Sequence, residues 1–314
     1  MSKSRFFALS GALALVLASV VSVAAQEAKD PGAAAGAKIF VNMKGPSAGN
    51  QFWALVEQGA NQAGADYGVD VQVVAPPVES DIPGQIALVE DTAAQGATGM
   101  AIAVTDAVAL HPSIQAAIDA GVKVVWIDSG GDNEGVSYIG TDNAIGAGLA
   151  GQYLCDNVPA GGKVAILQGL ITTTTGQARA AGSKAAVEAC GLDLVAEIPA
   201  DWNRGLGLSA TEDIITQHPD LAGLFGSNDE MALGAVEALR AAGLLEQVVL
   251  VGYDANPDAR EAVIAGDMEA TIAQNPVNMG YLGVESLIKL INGETLEPTI
   301  DTGVELITAE NAAG

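Results

Sequence analysis

The chain has 314 residues, 49% hydrophobic and 4% aromatic, and its 38 acidic against 13 basic side chains give a formal net charge of −25. Such a length suits two domains of ordinary size. So acidic a surface repels nucleic acid and anionic lipid, which excludes roles that depend on binding either.

The N-terminus reads as an export signal over residues 1–25. Lys3 and Arg5 form a basic start, residues 6–21 are apolar, and Val23-Ala24-Ala25 offers a small-residue cleavage site before Gln26. The apolar run is short for a membrane anchor, and no cysteine follows it for lipid attachment. The mature chain is therefore expected to be exported, and periplasmic in a cell with two membranes. Residues 26–36 are small and polar around Pro31 and are expected to form a flexible leader.

Strand and helix then alternate. Short apolar runs predict strands at 38–43, 70–74, 99–104, 123–128, 136–139, 163–167, 192–198, 221–225, 248–251 and 269–272. Helical periods fall between most of them, at 53–67, 83–95, 112–120, 143–157, 179–189, 207–217, 231–242 and 257–265, and another follows at 277–292. Alternation of this kind makes a parallel sheet with helices on both faces. Ten strands are too many for one such unit, so the expected fold is α/β with two doubly wound parallel-sheet lobes. The first lobe ends near Thr141, and the last helix is placed to return to it. One lobe is then 37–141 plus 275–302, and the other 142–274 plus 303–314. Several crossings make a multi-strand hinge, which suits closure over a ligand in the cleft.

Cys155 and Cys190 are the only cysteines. In an oxidising compartment they are either a disulfide or two buried thiols, and the choice rests on a Cα separation that a sequence does not contain. Two thiols without a nearby histidine do not make a metal site. His111 and His218 each precede a proline at an expected element boundary, and both read as structural.

The chemistry concentrates between residues 221 and 276, where three polar knots each follow an apolar strand: Gly-Ser-Asn228-Asp-Glu, Gly-Tyr-Asp254-Ala-Asn-Pro and Ile-Ala-Gln274-Asn-Pro. Ligands of open parallel sheets bind beyond the carboxyl ends of the strands. Two amides and a carboxylate placed there point to one polar ligand, and none is a good nucleophile. No Gly-x-Gly-x-x-Gly follows the first strand, and the chain has no Walker loop. A binding protein without a cofactor is expected rather than an enzyme. Taken singly, Asn228 and Asp254 read more plainly as helix caps, Trp53 and Trp202 as core, and Arg179 as a surface ion-pair partner.

These knots, with Ile-Asp128, Leu-Gln-Gly169 and Pro-Ala-Asp-Trp202 upstream, resemble the periplasmic ribose-binding proteins in order and spacing over nearly the whole mature chain. That family supplies the sugar-binding components of ABC importers. The resemblance implies two lobes joined by three strands, closing over a monosaccharide. It also implies a monomer that delivers its ligand to an ABC permease. The alternative is a receptor that presents an amino sugar or other small polar signal to a chemoreceptor. Asn50, Phe52 and Trp53 match the family's Asn-Pro-Phe-Phe loop, and Asp128 its Asp-Arg pair. Arg179 matches the arginine opening a second-lobe helix, and Trp202 the aromatic facing the first-lobe pair. Asn228, Asp254 and Gln274 match its polar strand-end ligands. Such a set suits a sugar, because aromatic planes cover the C–H faces while amides, carboxylates and a guanidinium satisfy the hydroxyls. A sugar-responsive repressor shares this core but needs a DNA-binding helix pair where this chain has its export signal.

Two positions depart from the family pattern. Gln51 replaces the proline, in a loop that is longer than in the ribose binder, and Ser129 replaces the arginine after Asp128. Arg179 alone then faces Asp128 and Asp254, and a buried unbalanced carboxylate is costly. Lys44, at the end of the first strand, is expected to reach in and restore neutrality, unless the ligand itself is cationic. A sugar or polyol other than ribose is the expected ligand.

Overall fold

The computed structural model describes residues 28–313, so the expected export signal lies outside the described residues. Two six-stranded sheets organise the chain. The first holds β1 (Lys38–Asn42), β2 (Asp70–Val74), β3 (Gly99–Ile102), β4 (Lys123–Ile127), β5 (Tyr138–Gly140) and β11 (Thr299–Asp301), in the order β11-β5-β4-β3-β1-β2. The second holds β6 (Lys163–Gln168), β7 (Asp193–Pro199), β8 (Leu221–Gly226), β9 (Val249–Val251), β10 (Ala270–Ala273) and β12 (Glu305–Thr308), in the order β12-β10-β9-β8-β6-β7. Among the described residues only β10 and β12 pair antiparallel. The expected α/β class with two mainly parallel sheets is what the chain forms.

The helices are α1 (Gln51–Tyr67), α2 (Ile82–Ala94), α3 (Ala107–Asp119), α4 (Asn143–Asn157), α5 (Thr174–Ala189), α6 (Arg204–Gln217), α7 (Asp229–Ala242), α8 (Pro257–Ala265) and α9 (Pro276–Ile291). They cover both faces of each sheet. Alternate β1 side chains show this: Ile39, Val41 and Met43 pack with residues of α1 and α9, whereas Phe40 packs with Val89 of α2 and Leu110 of α3. Glycine lets the helices approach closely. A Cβ on Gly59 would overlap the Val277 carbonyl oxygen, and one on Gly280 that of Val56, where α1 crosses α9. Gly207 and Gly234 do the same for α6 and α7.

Several boundaries differ from the sequence reading. β11 and β12 were not expected, because both are short and carry little buried apolar surface. α3 starts at Ala107, ahead of Pro112, because Asp106 accepts from the Val108 and Ala109 N–H groups and caps it there. His111 is therefore inside α3, on the surface, with Nδ1 2.6 Å from Asp132 Oδ1. Its expected place at an element boundary is corrected. α5 likewise starts at Thr174, capped by Thr173, rather than near Arg179.

The leader is not free over its described part. Lys29 Nζ lies 5.0 and 4.9 Å from the ring centroids of Tyr67 and Tyr281 and 3.3 Å from Glu285, tying the segment to α1 and α9. A short 3₁₀ turn at Gly32–Ala34 follows, and the Ala33 N–H donates to Asn292 Oδ1 at 2.6 Å. Cys155 and Cys190 form a disulfide with a Cα separation of 6.0 Å, which joins the C-terminal ends of α4 and α5.

The chain passes between the sheets three times, after β5, after β10 and after β11. One hydrogen-bond knot gathers the crossings. The Thr141 and Thr302 hydroxyls both donate to the Gln274 carbonyl, at 3.3 and 3.2 Å, and lie 3.2 Å from each other.

Two glycine-to-alanine changes separate close packing from helix propensity. Gly280→Ala overpacks the α1–α9 crossing and is expected to cost about 1–3 kcal/mol. Gly148→Ala meets nothing within 4 Å and should stabilise by roughly 0.5–1 kcal/mol. Urea unfolding followed by circular dichroism checks both signs.

Candidate functional site

Loops and helix starts beyond the strand ends of both sheets converge on one cavity. From the first sheet's lobe come Lys44 after β1, Asn50, Phe52 and Trp53 at the start of α1, Glu79 after β2 and Asp128 after β4. From the second come Thr175 and Arg179 on α5, Trp202 after β7, Asn228 after β8, Asp254 after β9 and Gln274 after β10. The ten residues singled out in the sequence line the same space, and Glu79 and Thr175 join them.

Charge is balanced in pairs. Lys44 Nζ sits 2.7 Å from Asp128 Oδ2, and Arg179 Nη1 sits 3.6 Å from Asp254 Oδ1, with all four side chains at most 5% exposed. Lys44 thus occupies the role that the missing arginine leaves open. Ser129, which stands in that arginine's place, turns its hydroxyl to the Val104 carbonyl at 2.8 Å. Arg179 makes three hydrogen bonds within the protein: Nε donates to Asn143 Oδ1 at 2.8 Å, Nη1 to the Ser227 carbonyl at 2.8 Å and Nη2 to Gln274 Oε1 at 3.1 Å. Gln274 in turn donates its Nε2 to Asp254.

Aromatic planes frame these charges. Lys44 Nζ lies 5.7 Å from the Trp53 ring centroid and 5.6 Å from that of Trp202, one on each side of the cleft. Phe52 meets Trp53 edge-on at 4.9 Å. The Arg179 guanidinium stacks 3.7 Å from the Tyr253 centroid. Such contacts hold cations over ring faces with little solvent between them.

Glu79 was not singled out in the sequence; it lies in the loop after β2, set off from the strand by Pro76-Pro77-Val78. Its Oε1 accepts from Trp53 Nε1 at 2.7 Å and from Asn50 Nδ2 at 3.1 Å. Burial raises its carboxyl pKa, opposed by Lys44 and by the Trp53 hydrogen bond. The cavity therefore brings three carboxyl groups beside two cations, and burial favours the neutral form of Glu79.

Two residues combine a cap with a place in the cavity. Asn228 Oδ1 accepts from the Met231 N–H at 2.9 Å, and Asn50 Oδ1 from the Trp53 N–H at 3.3 Å. Asp254 does not cap α8, whose N-cap position is Asn256. Backbone strain gathers here too. Among the described residues, positive φ outside glycine occurs at Asp128 (59°), Asp201 (48°), Trp202 (62°), Asp254 (126°), Ala255 (52°) and Asn275 (53°). Each lies just beyond a strand that feeds the cavity or the hinge, where strain of about 1–3 kcal/mol per residue persists only if the surroundings enforce it.

The Trp202 ring lies against Gly169, where a Cβ would overlap it. Gly169→Ala should displace the ring and weaken ligand binding by at least about tenfold, with the polar set intact. Isothermal calorimetry checks this. The pH response follows from Asp254, whose carboxyl is pushed up to about 7 by burial, against the pull of Arg179 and Gln274. A carboxyl with a native pKa above its unfolded value of about 3.9 binds more protons when folded. Its contribution is complete below the unfolded value and is lost as pH rises through about 7. The ligand-free protein should therefore melt higher near pH 5.5 than near pH 8, and Asp254→Asn should shrink that difference in a pH series of melting curves.

Comparison with known proteins shows the chain's family. The periplasmic binding protein domain family matches residues 41–295. The D-ribose/D-allose-binding protein of Pseudomonas aeruginosa is 36% identical over 84% of this chain and 86% of its own length. The ribose import binding protein of Escherichia coli is 33% identical over 94% of this chain and 98% of its own. Among solved structures, an ABC transporter periplasmic solute binding protein from Actinobacillus succinogenes with bound D-allose has a TM-score of 0.82 and 28% identity, covering 88% of this chain and 99% of that one. One from Agrobacterium vitis with bound D-fucose has a TM-score of 0.83 and 30% identity, covering 87% and 96%. The chain belongs to the periplasmic binding protein family and is similar to its ribose-type sugar-binding members.

Proposed function

We propose that the protein is the solute receptor of an ABC importer, capturing a monosaccharide in the periplasm and handing it to the permease. It is a binding protein and not an enzyme. The observation that carries the reading is the cavity itself, where aromatic walls from opposite lobes enclose two neutralised ion pairs and three amides. A sugar ring needs that combination. Phe52, Trp53 and Trp202 cover its C–H faces, and water leaves both surfaces. Lys44, Arg179 and the amides of Asn50, Asn228 and Gln274 donate to its hydroxyls, while Asp128, Asp254 and Glu79 accept from them. Among the described residues Trp202 Nε1 has no hydrogen-bond partner, and it suits a further acceptor on the ligand.

The lobes are assigned as 37–141 plus 275–302 and 142–274 plus 303–314, following sheet membership. Ligand gathers contacts from both lobes only when they are together, so it favours the closed form, and that form docks on the permease. Aldohexoses and aldopentoses lead the expected ligands, since the similar proteins are named for ribose, allose and fucose.

A thermal-shift panel of pentoses, hexoses, amino sugars and polyols tests the reading on protein refolded free of carry-over ligand. At least one monosaccharide should raise the melting temperature by several degrees. No shift with any of them would remove the sugar assignment. An amino sugar winning outright would mean that a ligand ammonium answers the third carboxyl group. For the best ligand, Lys44→Met should cut affinity by more than about tenfold in calorimetry, because it removes a donor and strands the Asp128 charge.

A further inference from the structure

Gln51 and Asp258 lie on opposite lobes, outside the cavity lining, and form a reciprocal pair. Gln51 Nε2 donates to Asp258 Oδ1 at 2.7 Å, and Gln51 Oε1 accepts from the Asp258 backbone N–H at 3.2 Å. Asp258 is in the first turn of α8, and the N-cap residue of that helix, Asn256, makes no side-chain cap hydrogen bond. First-turn N–H groups have no partner inside their own helix. The amide from the other lobe therefore supplies a cap that α8 does not provide for itself. Arg204 holds the acceptor in place from its own lobe, with Nη2 3.7 Å from Asp258 Oδ2 and Nε bonded to Glu230 at 2.9 Å.

We propose that Gln51 is a latch on lobe closure: by capping α8 across the cleft it raises the closed fraction without touching the ligand. The proposal rests on the reading that the lobes close over a ligand, but its direction is the same for any ligand. A contact made only in the closed form shifts the open–closed balance by its own free energy, and apparent affinity follows the closed fraction. Its loss should act mainly on release, because the latch forms after the ligand has entered. Other contacts also cross the cleft: the Thr172 hydroxyl donates to the Thr105 carbonyl at 2.9 Å, the Gly130 N–H to the Thr174 hydroxyl at 3.0 Å, and Lys44 Nζ to the Thr175 hydroxyl at 3.5 Å. Removing the latch therefore weakens closure and does not abolish it. Gln51 stands where the ribose-type loop has proline, which offers no such amide. The latch belongs to this chain and not to the shared loop.

That difference supplies the cleanest variant. Position 51 is the first residue of α1, and Asn50 before it is extended at φ −135°, ψ 109°; both suit a proline. Nitroxide labels at Glu90→Cys and Glu212→Cys, one exposed position on each lobe, report the interlobe distance by double electron–electron resonance. They do so for wild type, Gln51→Pro, Asp258→Ala and the double variant. Without ligand, each single variant should lower the closed-to-open ratio by about five-fold, typical of a lost cap, and the double variant should add little. With D-allose as probe, stopped-flow dissociation should speed up by a similar factor at nearly constant association rate. Identical ligand-free distance distributions in wild type and variants would overturn the latch, as would fully additive effects. If D-allose fails to bind wild type, that sugar loses its place while the distance measurement still decides the latch.

Discussion

Burying carboxylates at the ends of parallel strands is the constraint on which this molecule turns. Each of these ions would cost several kcal/mol if left unpaired. Each ion pair is formed within a single lobe. Lys44 and Asp128 belong to the first sheet's lobe, Arg179 and Asp254 to the second, and Glu79 leans on Trp53 and Asn50 of its own lobe. Opening the cleft then hydrates these groups without separating a charge from its partner.

The same economy governs the neutral groups. Asn50 and Asn228 each cap the helix they open, and in doing so fix their remaining amide atoms at the cavity. A cap is restrained by the helix behind it, so the amide loses little further freedom when a ligand arrives. The left-handed backbone at Asp128, Trp202 and Asp254 aims side chains across the cleft from positions where an ordinary strand end would not. Gly169 completes the arrangement by leaving room for the Trp202 ring. Rigid elements thus hold both aromatic walls and both ion pairs before binding.

How much of this could be read from the chain depends on the range of the signal. Strands such as 38–43 and 163–167 are short, mostly apolar and buried runs whose pattern is local, and they are where they were expected. The polar knots were legible because each interrupts such a run abruptly. Lys44 was inferred from a charge imbalance, which composition around a site can expose. Glu79 was not, because Pro76-Pro77-Val78 separates it from its strand and nothing nearby marks it as buried. β11 and β12 owe their existence to partners far away in the chain, Tyr138–Gly140 and Ala270–Ala273, and not to their own weakly apolar residues. The early starts of α3 and α5 turn on the caps Asp106 and Thr173, which outweigh the proline at 112 and the arginine at 179 as boundary marks. The Gln51–Asp258 pair spans 207 positions and has no local signature at all.

Gln274 shows how site and hinge come to be one device. Its carbonyl receives the hydroxyls of Thr141 and Thr302, one from each of the other two crossings. Its side chain lies between Asp254 and Arg179 inside the cavity. A rotation of the lobes about the crossings must move this backbone, and with it the amide that orders the second ion pair. Conversely, a ligand that holds the amide in one orientation restricts the torsions available to that crossing. A ligand shifts a conformational balance only as far as it prefers one state over the other, and a residue that belongs to both hinge and site is where such a preference is most directly expressed.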